Sequence, residues 1–129
     1  MIKLGDFGLA EQLQHFSSRR ESICGSFLFI APEVYDGATV MKSDVWSLGI
    51  TLIELAEGEN PFASCICAAQ VMKMVYNDDP PSLSSEKWSD EFVDFVKKCL
   101  VKDVKERWDA SQLMNVSGCY RGMMISMPL

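Results

Sequence analysis

The chain has 129 residues, enough for one domain with a real apolar core. A 48% hydrophobic fraction beside 23% charged residues excludes a disordered chain by composition. A formal net charge of −6 argues against a nucleic-acid-binding or anionic-membrane surface, so no nucleic-acid partner is expected.

The first residues, Met1-Ile2-Lys3-Leu4-Gly5-Asp6-Phe7-Gly8, contain no long apolar run and do not read as a signal peptide. Ile2-Lys3-Leu4 alternates apolar and polar residues and predicts a short strand. Gly5 and Gly8 flank a turn, after which Leu9-Ala10 can resume an extended path, giving a short β hairpin. Asp6 then stands at the strand end. A carboxylate there can ligate a hard cation such as Mg²⁺, with phosphate oxygens completing the shell.

From Glu11 to Ile30 no period holds, and the stretch predicts a long loop. Ser17, Ser18 and Ser22 lie beside Arg19 and Arg20, so a phosphate added to any of them would find positive charge close by. An ordinary solvated loop reads equally well from these residues. The apolar run Phe27-Leu28-Phe29-Ile30 ends in Ala31-Pro32-Glu33, and a short helical turn is expected over Pro32 through Tyr35. Glu33, if buried, needs a cationic partner, and arginine can bind it bidentately.

The stretch Lys42 to Gly58 organises the chain. Asp44 suits the N-cap of a helix and Gly58 suits a left-handed C-terminal stop. Between them Val45, Trp46, Leu48, Ile50, Leu52, Ile53, Leu55 and Ala56 leave almost no polar face, so the helix should be enclosed on several sides. It is too short to span a bilayer and carries Glu54. A second helix is predicted over Cys65 to Tyr76, with Ile66, Val71, Met72, Met74 and Val75 as apolar members. Ser89 caps a third, with Asp90 and Glu91 in its first turn and Lys97 and Lys98 near its end. Asp109 opens a last short helix, with Gln112 placed for a capping box. From Asn115 onward periodicity and caps are lost, and a poorly ordered tail over 115–129 is expected.

Five cysteines (Cys24, Cys65, Cys67, Cys99, Cys119) are scattered, and His15 is the one histidine, so no zinc site is expected. Free thiols fit a reducing compartment, and the chain reads as cytoplasmic.

Taken together, Asp6-Phe7-Gly8, Ala31-Pro32-Glu33, Asp44-Val45-Trp46-Ser47-Leu48-Gly49 and Arg107 resemble, in order and spacing, the C-terminal lobe of a eukaryotic protein kinase domain. The resemblance covers residues 1–114. In detail it is closest to the germinal-centre, Hippo/MST-like serine/threonine kinases, through Gly25-Ser26 to Glu33, Glu54-Leu55-Ala56-Glu57-Gly58, Lys87-Trp88-Ser89 and the run from Phe95 to Asp103. It implies a mainly α fold, a partial C-lobe with its helices around a central buried one. Asp6 would chelate the Mg²⁺ of bound ATP, and Phe7 and Gly8 would complete that motif. Ser22 would be the activation-loop phosphosite, with Ser18 and Ser17 as neighbours, and Ser26 would select serine and threonine substrates. Glu33 and Arg107 would form a buried ion pair, Asp44 would cap the central helix and hold the catalytic loop, and Trp46 would be structural.

The departures matter as much. The Gly-rich ATP loop, its lysine and glutamate, and the catalytic loop with its base have no counterpart here, so no catalytic base is present. Trp108 stands where a proline often follows the arginine, and the usual His-Pro-aromatic ending is replaced. Both ends therefore look cut. The expected function is that of a fragment of an ATP-dependent protein serine/threonine kinase, inactive alone and binding no ATP or Mg²⁺ by itself. The rival is a non-catalytic, pseudokinase-like module that binds partner kinases or protein substrates.

Overall fold

The computed structural model describes residues 3–12 and 26–115. A 3₁₀ turn at Phe27–Phe29 leads to α1 (Pro32–Tyr35), followed by α2 (Met41–Glu57), α3 (Ala68–Asn77), α4 (Asp90–Cys99) and α5 (Ala110–Met114). The fold is mainly helical, as expected, with almost no strand among the described residues. The expected N-terminal hairpin is not formed among the described residues. Residues 3–12 have no strand and are exposed throughout. A two-stranded ribbon exposed in this way, without a third strand or a helix covering it, is marginal in water.

α2 is the axis of the domain. It packs against α4 and against the Phe27–Phe29 turn. Val45, Trp46, Ile50 and Ile53 on α2 join Val71, Val75, Val96, Cys99, Leu100 and Leu113 in one core. The closest approach is at Gly49. A Cβ there would lie 2.7 Å from Leu100 Cγ and 2.9 Å from Cys99 Cβ, so the absence of a side chain lets α4 seat on α2. The opposite side of α2 is open. Leu48 is 42% and Leu55 69% exposed, so the helix is not enclosed on all the sides its composition demands.

The helix ends correct the sequence reading in part. α2 starts at Met41, and Asp44 is not its N-cap. The Ser43 hydroxyl, at the third helical position, accepts the Val40 N–H at 3.0 Å and performs the capping, which leaves Asp44 inside the first turn. Gly58 closes the helix with φ 81°, its N–H donating to Glu54 O. α3 starts at Ala68 rather than Cys65, because Phe62 O and Gln70 Oε1 draw the Cys65 and Ile66 N–H groups into a turn. Ile66 is consequently exposed, not part of an apolar face. α4 and α5 begin where their caps predict. Ser89 accepts the Phe92 N–H, and Asp109 and Gln112 form a reciprocal capping box at 2.8 and 2.9 Å.

Candidate functional site

Glu33 and Arg107 are 74 positions apart and meet in a bidentate pair, with Nη1 to Oε1 at 2.7 Å and Nη2 to Oε2 at 2.8 Å. Arg107 is fully buried. Its Nε donates to Val101 O at 2.8 Å, Nη1 also to Lys42 O at 2.9 Å, and Nη2 to Lys102 O at 3.4 Å. All five guanidinium N–H groups are thereby engaged, the condition under which a buried arginine is tolerated. The guanidinium lies over Trp46, 5.2 Å from the ring centroid, which packs the cation against the central helix. Trp46 is itself fully buried, and its indole N–H has no acceptor among the described residues.

The sequence reading did not single out Ser43, although it joins this pair to the helix start. The hydroxyl that accepts from Val40 donates to Glu33 Oε1 at 2.7 Å. A small polar residue one position before Asp44 was the only sequence signal of it. Ser47, also missed, donates from Oγ to Phe29 O at 2.8 Å, and the Tyr35 hydroxyl donates to Phe27 O at 3.2 Å. Burial raises the pKa of that Tyr35 hydroxyl, with the Cys65 thiol adding to it. The segment from Ser26 to Ala31 is thus fixed at three points: by α2, by α1 and by the ion pair behind Ala31.

Ser26 itself is exposed at the start of this segment. With Ile30, Val34, Thr39, Asp44 and Ser47 it lines a shallow depression of about 100 Å³. Asp44 reaches solvent, yet the protein crowded along its other side desolvates the carboxyl and raises its pKa.

Asp6 lies apart from this cluster. It adopts φ 62°, the left-handed region, and no other non-glycine residue does so among those described. The turn that follows is closed by Ala10 N donating to Phe7 O at 3.0 Å, and Phe7 is 68% exposed. Asp6 offers one carboxylate, and no cluster of three or more metal-ligating side chains occurs among the described residues. A Mg²⁺-bound nucleotide needs a fuller oxygen shell and a cradle for its phosphates. The described residues therefore do not form a self-sufficient Mg²⁺-ATP site. Ser17, Ser18 and Ser22 lie outside the described residues, as does the tail beyond Asn115.

The buried Glu33–Arg107 pair therefore joins α1 to the loop after α4, beneath the apolar segment and against the central helix. Residues 1–117 match the protein kinase domain, and the chain belongs to that family. Serine/threonine-protein kinase pakH of Dictyostelium discoideum is 44% identical over 116 residues, covering 88% of this chain and 22% of the relative. Serine/threonine-protein kinase dst1 of the same organism is 43% identical over 120 residues, covering 88% of this chain and 16% of the relative. The chain is homologous to serine/threonine protein kinases and spans about a fifth of the length of these two.

Proposed function

We propose that this chain is the substrate-presenting portion of an ATP- and Mg²⁺-dependent serine/threonine kinase of the germinal-centre, Hippo/MST-like group, acting on protein substrates in the cytoplasm. The observation that carries the reading is the fully engaged Glu33–Arg107 pair, which anchors the far end of the segment that begins at Ser26. In this reading residues 1–114 form the partial kinase domain. Ser26 meets the substrate hydroxyl residue, Ser22 (or Ser18 or Ser17) is the site whose phosphate orders the loop, and Asp6 is one ligand of Mg²⁺. Phosphoryl transfer is chiefly positioning and electrostatics, and Asp6 alone supplies too little of either. The isolated chain is therefore inactive. Free thiols at Cys65, Cys67 and Cys99 support a reducing compartment.

One observation favours the second reading, a non-catalytic module for partner kinases or substrates. Leu48 and Leu55 on α2, with Leu4, Phe7 and Leu9 nearer the N-terminus, leave apolar surface available for contact. A replacement experiment separates the two. The segment of the pakH kinase that this chain matches is exchanged for the chain, and transfer of labelled phosphate from ATP to a protein substrate is followed. The kinase reading expects transfer to serine or threonine that Asp6→Ala abolishes, and none from the 129-residue chain alone. A chimera that melts cooperatively yet transfers nothing rejects it, as does Asp6-dependent transfer by the isolated chain.

A further inference from the structure

The last turn of α3 carries a contact that the kinase reading does not use. The Tyr76 hydroxyl donates to Asp36 Oδ1 at 2.6 Å, with Pro32 O a weaker acceptor at 3.4 Å. Pro32 opens α1 and Asp36 caps its end, so this one side chain ties α3 to the helix that holds Glu33. The backbone of the same residue is gripped separately, since Lys102 Nζ donates to the carbonyls of Tyr76 and Asp78. Lys102 thus ties the end of α3 to the loop after α4, and the Tyr76 hydroxyl ties it to α1.

We propose that Tyr76 is a phosphorylation site for a tyrosine-directed kinase other than this chain, and that its modification detaches α3 from α1. Tyr76 is 44% exposed despite its bond, whereas Tyr35 is only partly exposed and sits beneath the Phe27–Phe29 segment. α3 ends one residue later at Asn77, and Asp78 is extended with φ −97° and ψ 164°. The chain just beyond Tyr76 leaves the helix and is exposed, and the acids Asp78 and Asp79 mark it chemically.

The chemistry balances with a nucleoside triphosphate as co-reactant. Tyr76 Oη attacks the γ-phosphorus of ATP, the bond from that phosphorus to the bridging oxygen breaks, and ADP departs. The hydroxyl proton passes to a base of the partner kinase. The ester oxygen has no proton to give Asp36, and the group carries a charge of about −1.5 to −2. A donor 2.6 Å from a carboxylate is thereby exchanged for an anion facing it. Simple deprotonation does not reach the same state near neutrality, because burial and the bond to Asp36 push the hydroxyl pKa up to about 12.

The test treats the full 129-residue chain and its Tyr76→Phe variant with a recombinant tyrosine kinase of acid-directed specificity and labelled ATP, followed by peptide mapping. Most of the label is expected on Tyr76, with loss of that label in the variant. Hydrogen exchange of the α3 amides should then run about fivefold faster or more in the phosphorylated chain, the factor one like-charge pair costs at contact distance in water. Tyr76→Phe, which loses the bond but gains no charge, should show a smaller rise. Label on Tyr35 or Tyr120 at the level of Tyr76 overturns the site. A phosphorylated Tyr76 with unchanged α3 exchange overturns the release.

Discussion

Replacing Arg107 by methionine isolates what its buried pair contributes. Methionine keeps the apolar stem of the side chain, while the guanidinium over Trp46 and all five donors vanish. Glu33 is left buried with the Ser43 hydroxyl as its remaining side-chain partner. Stranding one member of such a pair costs about 3–5 kcal/mol. The carbonyls of Lys42, Val101 and Lys102 lose a donor as well, and each adds about 1–3 kcal/mol where water cannot replace it. Whole domains are stable by only about 5–15 kcal/mol, so the lower figure already removes a large share. Urea unfolding reads it directly. With a slope of about 2 kcal/mol per molar, a loss of about 4 kcal/mol lowers the midpoint by about 2 M. Glu33→Leu combined with Arg107→Met removes both charges, and the double variant should recover much of the loss, because apolar replacement of a buried pair is often close to neutral. A midpoint for Arg107→Met within about 0.3 M of the parent refutes the reasoning. A double variant no better than the single one refutes it too, even if Arg107→Met alone does not fold.

Gly49→Ala forces a methyl to within 2.7 Å of Leu100 and should destabilise by about 1–3 kcal/mol through overpacking, partly offset by alanine's helix preference of about 1 kcal/mol; a higher melting temperature contradicts the close α2–α4 seat. Glu57 accepts from Lys87 Nζ, Ser84 N and Trp88 Nε1, and these bonds, led by Lys87, lower its pKa. Its contribution is therefore present above the ordinary carboxylate range and lost as pH falls through the depressed folded value. Glu57→Gln should flatten the acid limb of stability against pH, and an unchanged limb counts against the hub. Asp44 has the opposite sign. Desolvation raises its folded pKa, so its ionised form costs stability at neutral pH and that cost is relieved as pH falls through the raised value. Asp44→Asn should melt higher than the parent at pH 7 and equally below the carboxylate range, and a lower melt at pH 7 is the contrary result.

Features set by a few neighbouring residues were legible. Pro32–Tyr35, the Ser89 cap, the Asp109–Gln112 box and the Gly58 stop each need only local backbone geometry, and each occurs as read. The start of α2 was misread because its capping side chain lies inside the helix, at Ser43, rather than at its first residue. Asp44 has the chemistry of an N-cap, but the Ser43 hydroxyl accepts the Val40 N–H while donating to Glu33, and that tertiary bond favours the earlier start. Ile66 looked apolar in sequence, but the Gln70 side chain holds its N–H outside the helix. The Tyr76–Asp36 and Glu57–Trp88 bonds cross 40 and 31 positions, and nothing local to either residue signals its partner. The N-terminal strand had the right alternation, but a strand is a property of a pair, and none of residues 3–12 lies in one.

Asp6 and Asp44 bear on the choice between catalysis and scaffold because each carries a cost in the fold described. Asp6 holds a left-handed backbone that costs a non-glycine residue free energy, and it does so in an exposed stretch with no packing to offset the strain. Glycine at that position would adopt the turn more freely. Asp44 keeps a carboxylate where its surroundings disfavour the charge, and asparagine would keep the shape without that cost. Glu33 is the counter-example, an acid whose every oxygen is engaged by the fold itself. Breaks in local rules without local compensation are expected where a residue serves something other than folding. A binding surface made of Leu48 and Leu55 has no use for either acid. Two carboxylates kept at a cost, one of them lining the same depression as Ser26, weigh toward descent from a lobe that handles charge.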